Sequence, residues 1–505
     1  MNQSLPAILG FLLAITPAAQ AQFNYTSTNG TITITGYTGS GGAVAIPATI
    51  NGLPVTSIGD AAFAYTYVES VTIPASVTNI GSVAFGDCSL TNMTIPASVI
   101  HIGDQAFSHC FGLSAINVNA YNLSYSSVNG VLFDKNLTTL LQYPIAREGS
   151  SYTIFNSVTS IGDLAFADSS ISQVSTGNAV TNIGWGAFQY CQSLTNITIP
   201  AGVGSIGARA FDSCASLSAI NVNAGNLSYS SVDGVLFDKN QAMLLQYPIA
   251  RLGSFYTIPN GVTNIGMGAF AGSTLTGITI PGSVISLPYI EYEIQAFIGC
   301  ANLIAINVDA TNPAYSSIDG VLFDKSQTML LQCPGGKPGH YTIPAGVTNI
   351  GSDAFNGCSL TDVTIPGSVT IIGSYAFADS AKLTNVFFEG NAPSTGMDIF
   401  FGDIVNFVYY LPGTTGWNAY FGPYPTALWL PQAQTGDGSF GVRANQFGFN
   451  INWTGGQTVV VEACTNLTNP HWSSVVTNTL SSDSVYFSDS QWTNYPARFY
   501  RLRSP

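Results

Sequence analysis

Charge is what this chain has least of. Only 8% of its 505 residues are Asp, Glu, Lys or Arg, against about 25% in an average soluble protein. Lys and Arg number 12 against 26 acidic residues, for a formal net charge of -14. So few basic side chains leave no footprint for phosphate backbones and no polybasic patch for anionic lipid. Nucleic acid is therefore not expected as a partner. Histidine is also scarce: His101, His109, His340 and His471 are all there are. No G-x-S-x-G, H-E-x-x-H, Walker loop or EF-hand loop occurs. No cofactor is expected, and the residues give no sign of an enzyme.

Uncharged polar residues, chiefly Thr, Ser, Asn and Gly, must cover the surface. Hydrophobic residues make up 46%, ample for burial. At the start, Ile8–Ile15 is apolar and Ala19-Gln20-Ala21 follows. Residues 1–21 read as a signal peptide cleaved before Gln22, although no Lys or Arg precedes the apolar run. That run is shorter than the ~20 residues a membrane helix needs, and no later segment reaches that length. The mature chain is expected to be exported, secreted or held at the cell surface, with no transmembrane segment.

Internal repetition is the strongest signal. The unit L-T-N-I-T-I-P-x-x-V-x-x-I-G-x-x-A-F-x-x-C is plain at Leu90–Cys110 and Leu194–Cys214. Its Ala-Phe pair recurs with Phe63, Phe85, Phe107, Phe166, Phe188, Phe211, Phe270, Phe297, Phe355 and Phe377. Longer gaps follow Phe107, Phe211 and Phe297, and each holds a second kind of unit: Ser126–Lys135, Ser230–Lys239 and Ser316–Lys325, leading into LLQYP or LLQCP. In the short unit, alternating β-branched residues predict a strand that Pro ends. The I-G-x-x-A-F-x-x-C stretch has apolar residues at roughly helical spacing, which predicts a turn or short helix. Leu, Ile, Val, Ala and Phe then share one interior, and successive strands stack.

The I-P-x-x-V-x-x-I-G-x-x-A-F-x-x-C pattern resembles the BspA-type (Treponema-type) leucine-rich repeats of bacterial surface and secreted proteins. The D-G-V-L-F-D-K unit is similar to that family's variant coil. The resemblance covers roughly Phe23 to Pro431. It implies a repeat solenoid and surface recognition or adhesion, without a shared ligand or catalytic motif.

Residues 22–431 are accordingly expected to form one leucine-rich-repeat solenoid. Asn29-Gly30 signals a hairpin in its N-terminal cap, and the aromatic stretch Trp417–Trp429 reads as its closing cap. Those aromatics either seal the core or stack on a sugar. Residues 432–438 read as a polar linker. Residues 439–505 contain several strand-like runs and read as a small all-β, sandwich-like domain. Its last eight residues hold three of the basic side chains, and it is expected to bind carbohydrate, retain the protein at the envelope, or only cap the fold.

Asp134, Asp238 and Asp324 recur at one place in each long unit. Recurrence favours turn stabilisation over a glycosidase carboxylate pair, which is needed once; stacked Ca²⁺ sites are the alternative. His109 beside Cys110 suggests a metal ligand pair but lacks a second cluster at ligand spacing. Cys88, Cys110, Cys191, Cys214, Cys300 and Cys358 all lie three residues after a repeat Phe, where other units have Thr66, Ser169, Ser273 and Ser380. That interchange points to free thiols packed as small residues, although neighbours such as Cys88 and Cys110 would lie within bridging reach.

If the repeat Leu and Ile face inward, the alternate strand positions face outward. These are Asn92, Thr94, Asn117, Asn119, Asn196, Thr198, Asn221, Asn223, Thr279, Asn307, Asp309, Asp362 and Thr364. Stacked, they make a nearly uncharged ladder of hydroxyl and amide groups that suits a neutral glycan or polypeptide, or only its own hydrogen bonds. The chain thus reads as a recognition or adhesion protein with a protein or glycan ligand. A polysaccharide-active enzyme and a purely structural envelope protein are the alternatives.

Overall fold

The computed structural model describes residues 22–290 and 293–505; the expected signal peptide lies outside them. The chain divides into two compact units, one ending at Ser316 and one beginning at Ser317.

The first unit opens with the hairpin Phe23–Thr28/Thr31–Tyr37. Its turn residues Asn29 and Gly30 both have positive φ (53° and 75°), the backbone that an Asn-Gly hairpin turn requires. Thr31–Tyr37 then pairs in parallel with Leu53–Ile58, and coils follow. Each short coil carries two strands. One is the expected L-T-N-I-T-I strand, such as Asn196–Ile199. The other is a two-residue strand before the Ile-Gly step, such as Asn79–Ile80 or Asn182–Ile183. The second strands stack in parallel, with Ile58, Ile80 and Ile102 in register.

Of the turn or short helix expected from its spacing, the A-F segment takes the turn; the one helical exception among the described A-F segments is a 3-10 turn at Gln295–Phe297. No α-helix occurs among the described residues. In nine of these turns two residues adopt left-handed backbone, for example Val83 (φ 54°) and Asp87 (φ 55°) around Phe85. A right-handed helix cannot run through such positions. The turns stack instead, since the Phe63 amide donates to the Ala84 carbonyl and the Phe85 amide to Ala106, both at 2.8 Å. Every side of the coil is thereby bonded to its neighbours, which makes a β-solenoid.

Stacked rings fill the interior. Centroids are 5.0 Å apart for Phe63–Phe85, 5.9 Å for Phe85–Phe107, 4.9 Å for Phe166–Phe188 and 5.6 Å for Phe188–Phe211. All eight cysteines are buried and free. The repeat thiols also act as donors: Cys88 bonds the Phe63 carbonyl at 2.8 Å, and Cys110, Cys191, Cys214 and Cys300 bond the Phe carbonyl of the preceding coil at 3.0 Å. Ser380 does the same to Phe355 at 2.7 Å. The Cys/Ser/Thr interchange is therefore a preference for a small donor. Burial pushes the Cys110 and Cys191 thiols up to about 12, so they stay protonated and unreactive.

Long coils interrupt this stack. In the first, Tyr125–Val128 and Val131–Asp134 form a hairpin, and Thr139–Gln142 leads back into the row of second strands. Asn122, fully buried, fastens the coil: its amide donates to the Pro96 and Val99 carbonyls and accepts from the Ser124 and Tyr125 amides. Asn226 repeats this arrangement. The Asp134 carboxylate accepts from the Thr138 and Thr139 amides and the Thr138 hydroxyl, a turn-closing role. Gly130 (φ 79°) caps the strand edge by accepting from the Ile116 amide at 2.8 Å. A Cβ there would lie 2.9 Å from that of Ala115.

The second unit has the same two strand rows. Gly339–Thr342, Leu360–Ile365, Asn385–Phe388, Phe407–Tyr410 and Tyr424–Leu428 form one parallel row. Rings stack from Phe355 through Phe377 to Phe400, at 4.8 and 5.4 Å. Beyond them lie two antiparallel sheets. Gln446–Asn452 is central to one and Thr458–Cys464 to the other, around Phe449, Ile451, Trp453, Val459, Val461 and Phe487. Gln432 and Ala433, expected in a linker, pair with Asn452 and Ile451 of the first of these sheets.

Candidate binding surfaces

In the first unit the strands put the apolar positions inside as expected: Met93, Ile95, Ile116, Ile197, Ile199, Ile220, Ile278 and Ile306 are buried. Asn92, Thr94, Asn117, Asn119, Asn196, Thr198, Asn221, Asn223, Asn307 and Asp309 are exposed, and Thr279 is half-buried. They fall into distinct groups. Asn119, Asn223 and Asp309 lie just past their strands, where each side chain accepts an amide two residues on. Asn92 and Asn196 donate to the preceding Thr hydroxyl. Thr94 with Asn117, Thr198 with Asn221, and Thr279 with Asn307 lie side by side in register. These Thr–Asn pairs offer hydroxyl and amide groups to solvent. The ladder is divided, since the strands form separate sheets of two, four and three members. The long-coil hairpins cap the sheet edges and cause the division.

In the second unit the outward face changes character. Asp362 is half-buried and Thr364 is 4% exposed, so Thr364 is not the open position its spacing predicts. Phe387 stands beside it in register, and its hydroxyl lies 3.3 Å from His340 Nε2. The Asp362 carboxylate accepts from the Asn385 amide at 2.8 Å. Phe387 stacks on Tyr409 at 5.0 Å and meets Trp429 at 4.8 Å. Opposite them, the Trp453 indole donates to the Trp429 carbonyl at 3.1 Å, and the Thr454 hydroxyl donates to the Glu389 carboxylate. A groove of 650 Å³ results, floored by polar and aromatic strand residues and walled by Trp429, Trp453 and Asp483. The sequence gives no local signal for it, because residues near 340 and 453 meet only in the fold.

The closing aromatics differ in placement. Trp417 seals the core, stacked at 5.0 Å on Tyr410 and 4.9 Å from Phe388, while Trp429 faces the groove. The three C-terminal arginines are spoken for. Arg498 pairs with buried Asp489 at 2.9 Å, and Arg501 and Arg503 hold Glu462 at 2.7 and 2.9 Å. The Glu462 pairs lie within one sheet and the Arg498 pair reaches the other, so the three do not make a free basic patch.

His109 lies beside an opening in the first unit. Its Nδ1 is 3.6 Å from Asp87 and its Nε2 is 3.5 Å from Asp168. The Asp168 carboxyl is raised by burial, against which His109 pulls it down and Asp87 pushes it up. Cys110 points into the core, so it is not a partner ligand for His109. No group of three or more His, Cys, Asp or Glu able to hold a metal occurs among the described residues.

The BspA type leucine rich repeat region matches in 6 copies, over residues 56–140, 143–239, 252–331 and 339–410. The chain belongs to this BspA-type leucine-rich-repeat family. It is 31% identical to a leucine rich cell surface protein of Faecalibacterium prausnitzii, covering 73% of this chain and 94% of that one, with a TM-score of 0.44. A leucine-rich repeat protein of Bacteroides ovatus is 22% identical over 80% of this chain and 98% of that one, with a TM-score of 0.34. The pneumococcal vaccine antigen PcpA is 18% identical over 77% and 86%, with a TM-score of 0.30. No curated protein matches the chain. Within this BspA-type chain no helix among the described residues is long and apolar enough to cross a membrane.

Proposed function

We propose that this BspA-type protein is exported to the cell surface and acts there in recognition or adhesion, without catalysis. Its ligand is an extended neutral one, a glycan or polypeptide chain, held on the outward strand face. The observation that carries this reading is the groove in the second unit. There the face acquires the exposed edges of stacked rings beside hydroxyl, amide and imidazole groups, the mix of apolar lining and few placed polar groups that ligand sites show. The two C-terminal sheets, read as a sandwich module, supply the groove's second wall. The Faecalibacterium relative, described as a cell surface protein, supports the location. The test is a panel of immobilised neutral glycans and polypeptides probed with the full chain. Tyr409→Ala should weaken capture by about tenfold, the effect of roughly 1.4 kcal/mol. Tyr121→Ala, at a position 84% exposed and remote in sequence, should leave capture unchanged.

A further inference from the structure

The phenylalanine stack of the first unit is interrupted twice, and the two interruptions provide a comparison within one chain. At the first, rings stack as far as Phe107 and resume at Tyr143, which lies 5.0 Å from Phe166. At the second they stop at Phe211 and resume at Tyr247, 5.5 Å from Phe270. Each leaves an opening lined in the same way by the repeat: Tyr125 or Tyr229, Leu132 or Leu236, Leu141 or Leu245. The tyrosine is fixed in both, its hydroxyl accepting from the Ile102 or Ile206 amide at 2.9 Å.

Their chemistry differs. The first opening measures 570 Å³ and the second 260 Å³. In repeat register, Asp104 becomes Ala208, Asp163 becomes Met267, Asp168 becomes Gly272, His109 becomes Ser213 and Gln105 becomes Arg209. The first cleft is therefore walled by three carboxylates with no Lys or Arg, whereas the second has no carboxylate and one guanidinium. Asp163 has a structural role, since its carboxylate accepts from the Trp185 amide at 2.7 Å, but the second opening closes without counterparts of Asp104 and Asp168. Two further rings, Trp185 and Tyr190, line the first cleft and remain 40% and 43% exposed. Exposed indole and phenol faces beside carboxylates attract a cation through ring quadrupole and charge together. An anion would be repelled.

We propose that this first cleft binds a primary ammonium group, as presented by a lysine side chain of a polypeptide partner. The ring faces of Trp185 and Tyr190 would pack its methylene stem, and Asp104 and Asp168 would meet its charge. Asp168 suits that role because it is partly buried and faces His109, an imidazole that it shares with Asp87. The site is independent of the groove in the second unit, and either reading can fail without the other.

The experiment titrates the full chain with Nα-acetyl-lysine methylamide while tryptophan fluorescence is followed. Parallel titrations use the Nε-acetylated analogue, which has lost its charge, and methyl glucoside. The lysine probe should give a saturable change that is absent in Trp185→Phe and about tenfold weaker in the isosteric Asp104→Asn. Thermal unfolding of both variants should match the parent. Binding should weaken with added salt, as exposed charge pairing does. An equal response to the acetylated analogue, a response to methyl glucoside in place of lysine, or no saturable response to the lysine probe would each overturn the proposal.

Discussion

Short and long coils solve the same burial problem in different ways. A short coil such as that of Phe188 is closed on every side: ring on ring, backbone on backbone, and Cys191 bonded to the carbonyl of Phe166. A long coil gives up continuous ring stacking and is held by individual polar side chains, Asn122 and Asp134 in the first copy. Uniform coils supply rigidity and leave little room for individuality. The irregular ones open clefts whose lining can diverge, as the two openings of the first unit do.

That contrast can be tested by mutation. The largest expected effect is at the ring stack. Phe188 is fully buried, and Phe188→Ala should cost about 3–5 kcal/mol in chemical denaturation. Little change there would mean that the stack is not what closes the short coils. Next comes the long coil. Asn226→Ala leaves buried carbonyls and amides unpaired, a loss on the order of 3 kcal/mol; a neutral outcome would show that water replaces it. Smaller still is the thiol row. Cys191→Ser retains a donor and should be nearly silent, whereas Cys191→Ala should cost about 1 kcal/mol. Equal effects would reduce the row to a size requirement.

Much of this was legible because the solenoid repeats. The Ala-Phe pairs located the inward rings, and the strand alternation located most outward positions but not Thr364, which is buried. What was missed has physical causes. Tyr143, Tyr247 and Phe400 join the ring stacks without an Ala-Phe pair; the shared placement of the tyrosines in LLQYP was the available clue. Spacing left turn and short helix open because it does not report left-handed φ, although Gly186, Gly268, Gly272 and Gly357 at those positions hinted at the turn. The grooves depend on residues distant in sequence, so no local pattern announces them.

A further effect depends on pH. Asp403 stands in the thiol row of the coil after Ser380, and burial pushes its carboxyl up to about 7, with Asp379 adding to the rise. The folded state thus favours the protonated acid. Its contribution to stability is full below the unfolded carboxyl's value and is lost as pH rises through about 7. Asp403→Asn should flatten a decline in Tm over that window. A parent Tm that rises across it would contradict the assignment.

The most direct test of the functional account is a capture measurement on one ligand from the panel, with three proteins side by side: the parent, Tyr409→Ala, and Thr198→Lys combined with Asn221→Lys. The two lysines stand on exposed strand positions and should change stability by no more than about 1 kcal/mol. The account predicts that Tyr409→Ala loses about tenfold in capture, and that the lysine pair lowers capture of a ligand held on the strand face of the first unit. Full capture by both variants, with folding intact, would contradict recognition by this face.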